Sequence, residues 1–311
     1  MPLLSRVSVL AAKIETTAGT AETLAGADGA FNVFDAKITP EVTMEEREGQ
    51  GGFDMLSQIA GGRRGKATFR TNLQWDGTAT EPAWAETFFP ACGWVKSGQV
   101  YYPKSEAPGS NVKTLTIAHY VNGTRHLLSG CVGTFKVTLR AGMPAYIEWD
   151  FTGVWGGKTD ATILAPTYPT DLNLRWSGGV GQWNNVDLFA SQAVIDAGNV
   201  ITMREDPSSS SGYLCGIVTN RYPKVTVDPE KTTVASQDRW GYWLSSAEYA
   251  LELHCNGPTN SMLQFDAPKA QVIKIDYADR EKLAIDNIEF ACNKNSSTQD
   301  QSLYVTFTAA S

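Results

Sequence analysis

Three histidines, five cysteines and one small basic cluster are the residues whose types could do chemistry, and their spacing supports little of it. His119 stands in an apolar strand-like run and His126 opens another, a setting that suits a structural histidine better than a general base. His254 and Cys255 are adjacent, and neighbours on a strand face opposite ways; a metal there would need further ligands at a spacing the sequence does not show. The cysteines (Cys92, Cys131, Cys215, Cys255 and Cys292) are odd in number, widely spaced and never in a CxxC pair, which reads as free thiols in a reducing compartment. The run Gly61–Thr68 superficially resembles a phosphate loop. It has Ala60 where that motif needs glycine, and Ala67 where Ser or Thr must follow the lysine. Gly179-Val180-Gly181 lacks the third glycine of a dinucleotide fingerprint, and no G-x-S-x-G elbow occurs. Asp276, Asp279, Glu281 and Asp286 fall in turn or solvent-face patterns. The expectation is therefore no enzyme, no catalytic residue, no cofactor and no metal site.

Arg63, Arg64 and Lys66 form the basic cluster, which suits a solvated loop end better than nucleic acid. The chain as a whole is acidic, with 33 Asp and Glu against 26 Lys and Arg, a net charge of −7. Tight duplex binding depends on Lys and Arg neutralising phosphates, so the charge disfavours it. No run of ~18 apolar residues is present, so no transmembrane helix and no membrane partner are expected. Residues Met1–Leu10 lack the long apolar stretch of a secretory signal.

These residues must be positioned by something, and composition says what. The chain has 311 residues, longer than a usual core of roughly 100–200, so two domains or one large β domain are expected. Charged residues are 19%, with 28 Gly, nine Trp, 11 Tyr and 12 Phe; that mix favours strands joined by many turns.

Residues 1–30 are rich in Ala, Thr and Gly and read as an arm that docks on something. Phe31–Met44 alternates, with Val33, Ile38 and Val42 inward. Residues 45–65 combine Glu45–Gly52, an apolar patch (Phe53, Met55, Leu56, Ile59) and the glycines around Arg63 and Arg64; this reads as a long functional loop. Gly65–Leu73 has strand period. Thr80-Glu81-Pro82 opens a helix through Phe89, with Trp84 and Phe88 on one face, and Pro90 and Gly93 end it. Short strands follow at Tyr101–Tyr102, Thr114–Tyr120, Thr124–Leu128, Gly133–Arg140 and Tyr146–Phe151. Turns are set by Asn122-Gly123 and Gly142-Met143-Pro144. Residues 156–185 have linker composition. The second half then repeats the first half's order. Val200–Glu205 answers Val42–Glu48, Lys224–Val227 answers Lys66–Phe69, Gln237–Leu244 answers Pro82–Phe89, and Gln271–Phe290 answers Thr134–Phe151. The expected division is an arm (1–30), a first β domain (31–155), a linker (156–185) and a second β domain (186–311).

At this point an ordered series of motifs resembles a known family. Lys13-Ile14-Glu15-Thr16-Thr17-Ala18-Gly19-Thr20 is similar to the opening K-x-E-x-T-x-G-T of tail tube (major tail) proteins of long, non-contractile-tailed bacteriophages. Glu81-Pro82-Ala83-Trp84, Ala91-Cys92-Gly93-Trp94, Tyr101-Tyr102-Pro103, Asn122–Gly130, Gly133–Lys136 and Glu148–Gly153 follow in the family's order. Asp196–Val200 and Asp266–Ala270 extend the likeness into the second half.

The resemblance implies a mainly β fold: tandem β-sandwich or barrel units, each with a short flanking helix, forming rings with a continuous inner β-barrel. The rings would stack into a hollow tube through which DNA passes into the host. Family rings are commonly six-fold; two units per chain imply a trimeric, pseudo-hexameric ring, and a single unit plus a decoration domain implies a hexamer. The arm would bridge subunits through Lys13, Glu15, Thr16, Gly19 and Thr20. The long loop would bridge rings through Glu45, Arg47, Phe53, Met55, Leu56, Arg63 and Arg64. Which residues line the lumen is not readable. Implied partners are further copies of the chain, a tape measure protein in the lumen, and tail terminator and distal tail proteins at the ends. DNA would pass transiently and without sequence preference, repelled by an acidic lumen. The location would be the virion tail, after assembly in the host bacterial cytoplasm. The rival reading is an aromatic-rich β-sandwich that binds carbohydrate on a cell surface, with its tryptophans as platforms.

Overall fold

Alternation of apolar and polar residues dictates long strands here, and the computed structural model, which describes residues 6–78, 80–105, 113–257, 261–295 and 300–309, is built mainly from them. The first half contains β1 (Ser8–Ile14), β2 (Val33–Glu48), β3 (Met55–Asn72), helix α1 (Ala83–Ala91), β4 (Trp94–Ser97), β5 (Val100–Pro103), β6 (Leu115–Val121), β7 (Thr124–Arg140) and β8 (Tyr146–Asp160). The second contains β9 (Gly181–Trp183), β10 (Val186–Asp187), β11 (Ala190–Asp196), β12 (Asn199–Glu205), β13 (Tyr213–Arg221), β14 (Lys224–Pro229), helix α2 (Arg239–Leu244), β15 (Glu248–Asn256), β16 (Met262–Arg280), β17 (Leu283–Cys292) and β18 (Tyr304–Thr308).

The strands form one large antiparallel sheet whose main path runs β10-β9-β15-β16-β17-β14-β11-β7-β8-β3-β2, with β12 and β13 paired separately. The fold is mainly β and sandwich-like, and the sheet is open: no barrel closes among the described residues. Two four-stranded blocks lie side by side in it, β2-β3-β8-β7 and β11-β14-β17-β16, joined where β7 meets β11. Their registers correspond. Ala67 pairs with Phe151 in the first block, and Val225 with Phe290 in the second. Each block also has an irregularity within one pair of the same place, between Phe34 and Lys37 on β2 and between Ala190 and Ala193 on β11. On the next strand out, β6 pairs with the first half of β7 as β15 pairs with the first half of β16.

One face of this sheet is apolar and carries the core. Phe69, Phe135, Trp149 and Phe151 point inward and are closed over by α1 through Trp84, Phe88 and Phe89. The rings of Phe88 lie 5.0 Å from Phe69 and 5.1 Å from Trp149, and Phe89 lies 5.2 Å from Phe135. Trp183, Phe290 and Tyr242 of α2 make the corresponding cluster in the second half, with Trp183 5.0 Å from Phe290 and 5.5 Å from Tyr242.

Three segments depart from the sequence reading. Residues 45–65 are not a loop: β2 runs to Glu48 and β3 starts at Met55, leaving only Gly49–Asp54 as the turn. Cross-strand pairs such as Glu45 with Ile59 and Val42 with Arg63 satisfy the backbone, so the glycines are carried inside a hairpin. Thr124–Leu128 and Gly133–Arg140 are one strand, β7, whose register shifts between Ser129 and Val132 around Gly130 (φ 60°). Residues 156–185 are fastened down rather than loose, since Leu174 and Trp176 are buried and Asn173, Arg175 and Trp176 make bridges to Gln74, Pro144 and Ala141.

Candidate assembly surfaces

The N-terminal segment is held by its own chain. β1 pairs with β6 from Ser8 opposite Val121 to Ile14 opposite Leu115, and Val9–Ala12 are buried. Glu15 follows immediately and is 5% exposed. Its carboxylate accepts four hydrogen bonds: from the Thr114 hydroxyl (2.6 Å), the Thr116 hydroxyl (2.9 Å), the Gly130 N–H (2.8 Å) and the Gly19 N–H (2.8 Å). Gly19 has φ 82°, and a Cβ there would sit 2.3 Å from the Leu214 carbonyl oxygen, so only glycine fits. Thr16 donates its N–H to Glu22, and Thr20 bonds back to the Thr17 carbonyl. Lys13 pairs with Glu22 at 3.7 Å on the surface. Glu15, Thr16, Gly19 and Thr20 are thus brought together as a tether between β1, β6, β7 and β13, not as a free arm.

The β2–β3 hairpin extends past its neighbour β8, whose pairing with β3 stops at Arg64 opposite Val154. Beyond that point Met44, Phe53, Met55, Leu56 and Ile59 are exposed together with Glu45 and Arg47. An apolar surface carried on an extended hairpin without cover is the signature of an interaction site. Arg63 and Arg64 sit at its base and are engaged. Arg63 donates its backbone N–H to Ser211 and its guanidinium to Ser210, while Arg64 pairs with Glu41 at 2.7 Å. The corresponding hairpin of the second half, β12–β13, does not project. Gly198 (φ 64°) bends the chain between β11 and β12, where a Cβ would lie 2.0 Å from the Tyr222 oxygen. The hairpin folds back beside β7 and β8, with Gly216 against Val132.

The second face of the sheet is polar, and six of its bases are paired with acids. Lys66 meets Asp150 (3.4 Å), Arg70 meets Asp35 (3.2 Å), Lys136 meets Asp196 (2.9 Å), Lys224 meets Glu289 (2.6 Å), Arg280 meets Asp228 (3.2 Å), and Lys274 bonds Asp276. Sequence reasoning singled out Lys66 in a basic cluster and Asp276 on a solvent face, but none of these pairs. The signal was available, because each sits at an outward position of an alternating strand.

The thiols are buried, and the histidines are paired or partly buried. Burial raises the Cys92 and Cys131 thiols well above their ordinary range and pushes Cys255 and Cys292 up to about 12. All five cysteines are free and buried. His254 bonds Asp266 at 3.0 Å. His119 and His126 are cross-strand partners whose pKa values are lowered, first by burial and then by the neighbouring His126 and Lys158 charges respectively. Among the described residues no group of three His, Cys, Asp or Glu could hold a metal, and no helix is long and apolar enough to cross a membrane. Of the candidate sugar platforms, Trp84, Trp149, Trp176 and Trp183 are buried, whereas Trp155, Trp240 and Trp243 keep part of their surface exposed.

No curated protein matches the chain. A family model described as phage tail tube protein matches residues 5–199. That span runs through the Glu15 tether, the projecting hairpin, α1 and the whole first block of the sheet as far as the β7–β11 junction. The match covers more than half of the sequence, and the chain therefore belongs to the phage tail tube protein family.

Proposed function

We propose that this chain is the structural subunit of a non-contractile phage tail tube: copies close into rings, and rings stack into the hollow conduit through which DNA leaves the virion. The observation that carries the reading is the pair of like four-stranded blocks set side by side in one open sheet. Unpaired strand edges in an open sheet of this length are an aggregation hazard unless they are satisfied, and closing a ring covers the outer edge of β2 and the stretch of β16 past its last pair with β15. Three chains with two blocks each give a pseudo-hexameric ring. The paired polar face lines the lumen, because the opposite face is committed to the core. Six of its lysines and arginines already have carboxylate partners, so DNA phosphates find few free cations and slide past. The exposed apolar residues of the β2–β3 hairpin contact the next ring. The tape measure protein occupies the lumen, and terminator and distal tail proteins cap the ends of a tube assembled in the host cytoplasm.

Electron microscopy of the purified protein tests this. Tubes or stacked rings are expected, with three-fold averaged end views whose six lobes are alternately unlike. True six-fold symmetry would overturn the trimer, and a chain that remains monomeric at every concentration would overturn the tube.

A further inference from the structure

We propose that successive copies join by a specific strand pairing, β16 of one copy against β2 of the next, in the register that the chain already uses internally between β7 and β11. The inference rests on the tube reading above and adds the residues that make the contact.

The internal junction supplies the template. β7 carries β8 on one edge; its other edge takes β6 along the first half and β11 along the second, with Lys136 opposite Asp196, Val137 opposite Ile195 and Thr138 opposite Val194. In the second block β16 has β17 on one edge and β15 on the other, but β15 stops at Glu248 opposite Gln271. Among the described residues nothing pairs with β16 beyond that point on the β15 side, where the counterpart strand receives β11. At the far end of the sheet, among the described residues, β2 pairs with β3 alone, and its outer edge lacks the partner that β11, its counterpart, has in β7. One junction is made within the chain, and the two halves of a second identical one are left open at its ends.

Register follows from the correspondence of the blocks. Lys136 faces Glu148 as Asp276 faces Asn287, and Asp196 faces Lys224 as Thr39 faces Lys66. Between copies, Asp276 then lies opposite Thr39, Tyr277 opposite Ile38, and Ala278 opposite Lys37. The side chains agree with this placement. Lys274 comes opposite Glu41, and Asp276 is diagonal to Lys37, so the charges on the polar face alternate in sign across the seam. On the other face Tyr277, 67% exposed, gains Ile38 as a cover. Pro40 stands where Ala197 donates its N–H to Phe135 internally. A proline lacks that donor and is tolerated on an edge strand, so the ladder between copies ends at Thr39.

Paired cysteines read this register. Directly opposed residues of an antiparallel pair have Cα atoms about 4.5–5.5 Å apart, within the roughly 4.4–6.8 Å a disulfide spans. Lys37 and Ala278 are exposed, and the native cysteines are buried, so Lys37→Cys with Ala278→Cys in one chain should assemble and, on oxidation, give covalently linked copies on a non-reducing denaturing gel. The single variants should not give chains of more than two. Lys37→Cys with Asp279→Cys puts the second thiol on the opposite face, and should link at least about ten-fold less. Tubes in which the Lys37→Cys, Ala278→Cys protein stays unlinked, or links no better than the slipped pair, would overturn this junction and leave the tube standing. A wild-type chain that never associates would overturn both.

Discussion

Replacing Glu15 is the perturbation with the most fully determined outcome. The carboxylate is buried and satisfies four donors, of which two are hydroxyls and two are backbone N–H groups. The threonine hydroxyls can rotate to other acceptors, but the N–H groups of Gly19 and Gly130 are fixed. Leaving a buried donor without a partner costs about 1–3 kcal/mol. Glu15→Ala strands both, so a destabilisation of about 2–5 kcal/mol is expected. Glu15→Gln keeps one oxygen, and the Gly130 N–H, the more deeply buried of the two, can retain it. The amide nitrogen then meets Gly19, which is partly reached by solvent, so a loss of about 1–2 kcal/mol is expected. The assay is guanidinium unfolding of dilute, unassembled protein, followed by hydrogen exchange of the β1 amides, which should lose protection before the rest of the sheet. An alanine variant within about 0.5 kcal/mol of wild type, or a glutamine variant less stable than the alanine variant, would refute the tether.

Further outcomes follow from other contacts. Gly19→Ala should cost about 2 kcal/mol or more in thermal or denaturant unfolding, because its Cβ would meet the Leu214 oxygen at 2.3 Å in a left-handed backbone. Phe88→Ala removes the ring at the centre of the first core and should cost about 3–5 kcal/mol by chemical denaturation. Arg239 and Asp286 are a buried ion pair at 3.2 Å. Asp286→Ala should therefore cost about 3–5 kcal/mol, and joint replacement by apolar residues should recover most of that loss. Substituting Asp150→Asn, Asp196→Asn and Glu289→Gln frees Lys66, Lys136 and Lys224 on the polar face with little effect on stability; assembled tubes should then retain DNA, with a salt dependence steeper by about 0.9 per freed charge. Folded His119 and His126 have lowered pKa values, so the unfolded chain takes up protons first, and stability should fall as pH drops below the ordinary histidine value of 6.5. His119→Asn with His126→Asn should flatten that limb of a pH–stability profile.

Local chemistry was legible where one residue type settles the backbone. Asn122 and Gly123 read as a tight hairpin and adopt φ 36° and 100° between β6 and β7. Thr80-Glu81-Pro82 read as a helix start, and α1 begins at Ala83; it runs one residue past Pro90, to Ala91, and Gly93 (φ 71°) follows its end. The extent of strands was less legible. Glycines at 49–52 and 61–65 look like breaks, yet cross-strand pairing overrides local preference and absorbs all but the turn itself. The K-x-E-x-T-x-G-T series was visible as a pattern but not as a mechanism. Its Glu15 is meaningful only because β6 and the bulge of β7, a hundred residues away in sequence, bring Thr114, Thr116 and Gly130 around it. The paired polar face was equally hidden, since ion pairs such as Lys66 with Asp150 depend on which strands become neighbours.

The unequal fates of the two hairpins have a consequence for how a tube is wound. A ring of identical single-block subunits offers every neighbour the same face at every step, so nothing marks one step from the next. Here the block bearing the outstretched β2–β3 hairpin alternates with the block whose β12–β13 hairpin is folded down at Gly198. In the proposed ring, protrusions therefore occur at every second position, and the ring above must set its own protrusions against that alternation. In that proposed tube, fusion of two blocks in one chain would act as an angular vernier, with the twist from ring to ring chosen in steps of a whole chain.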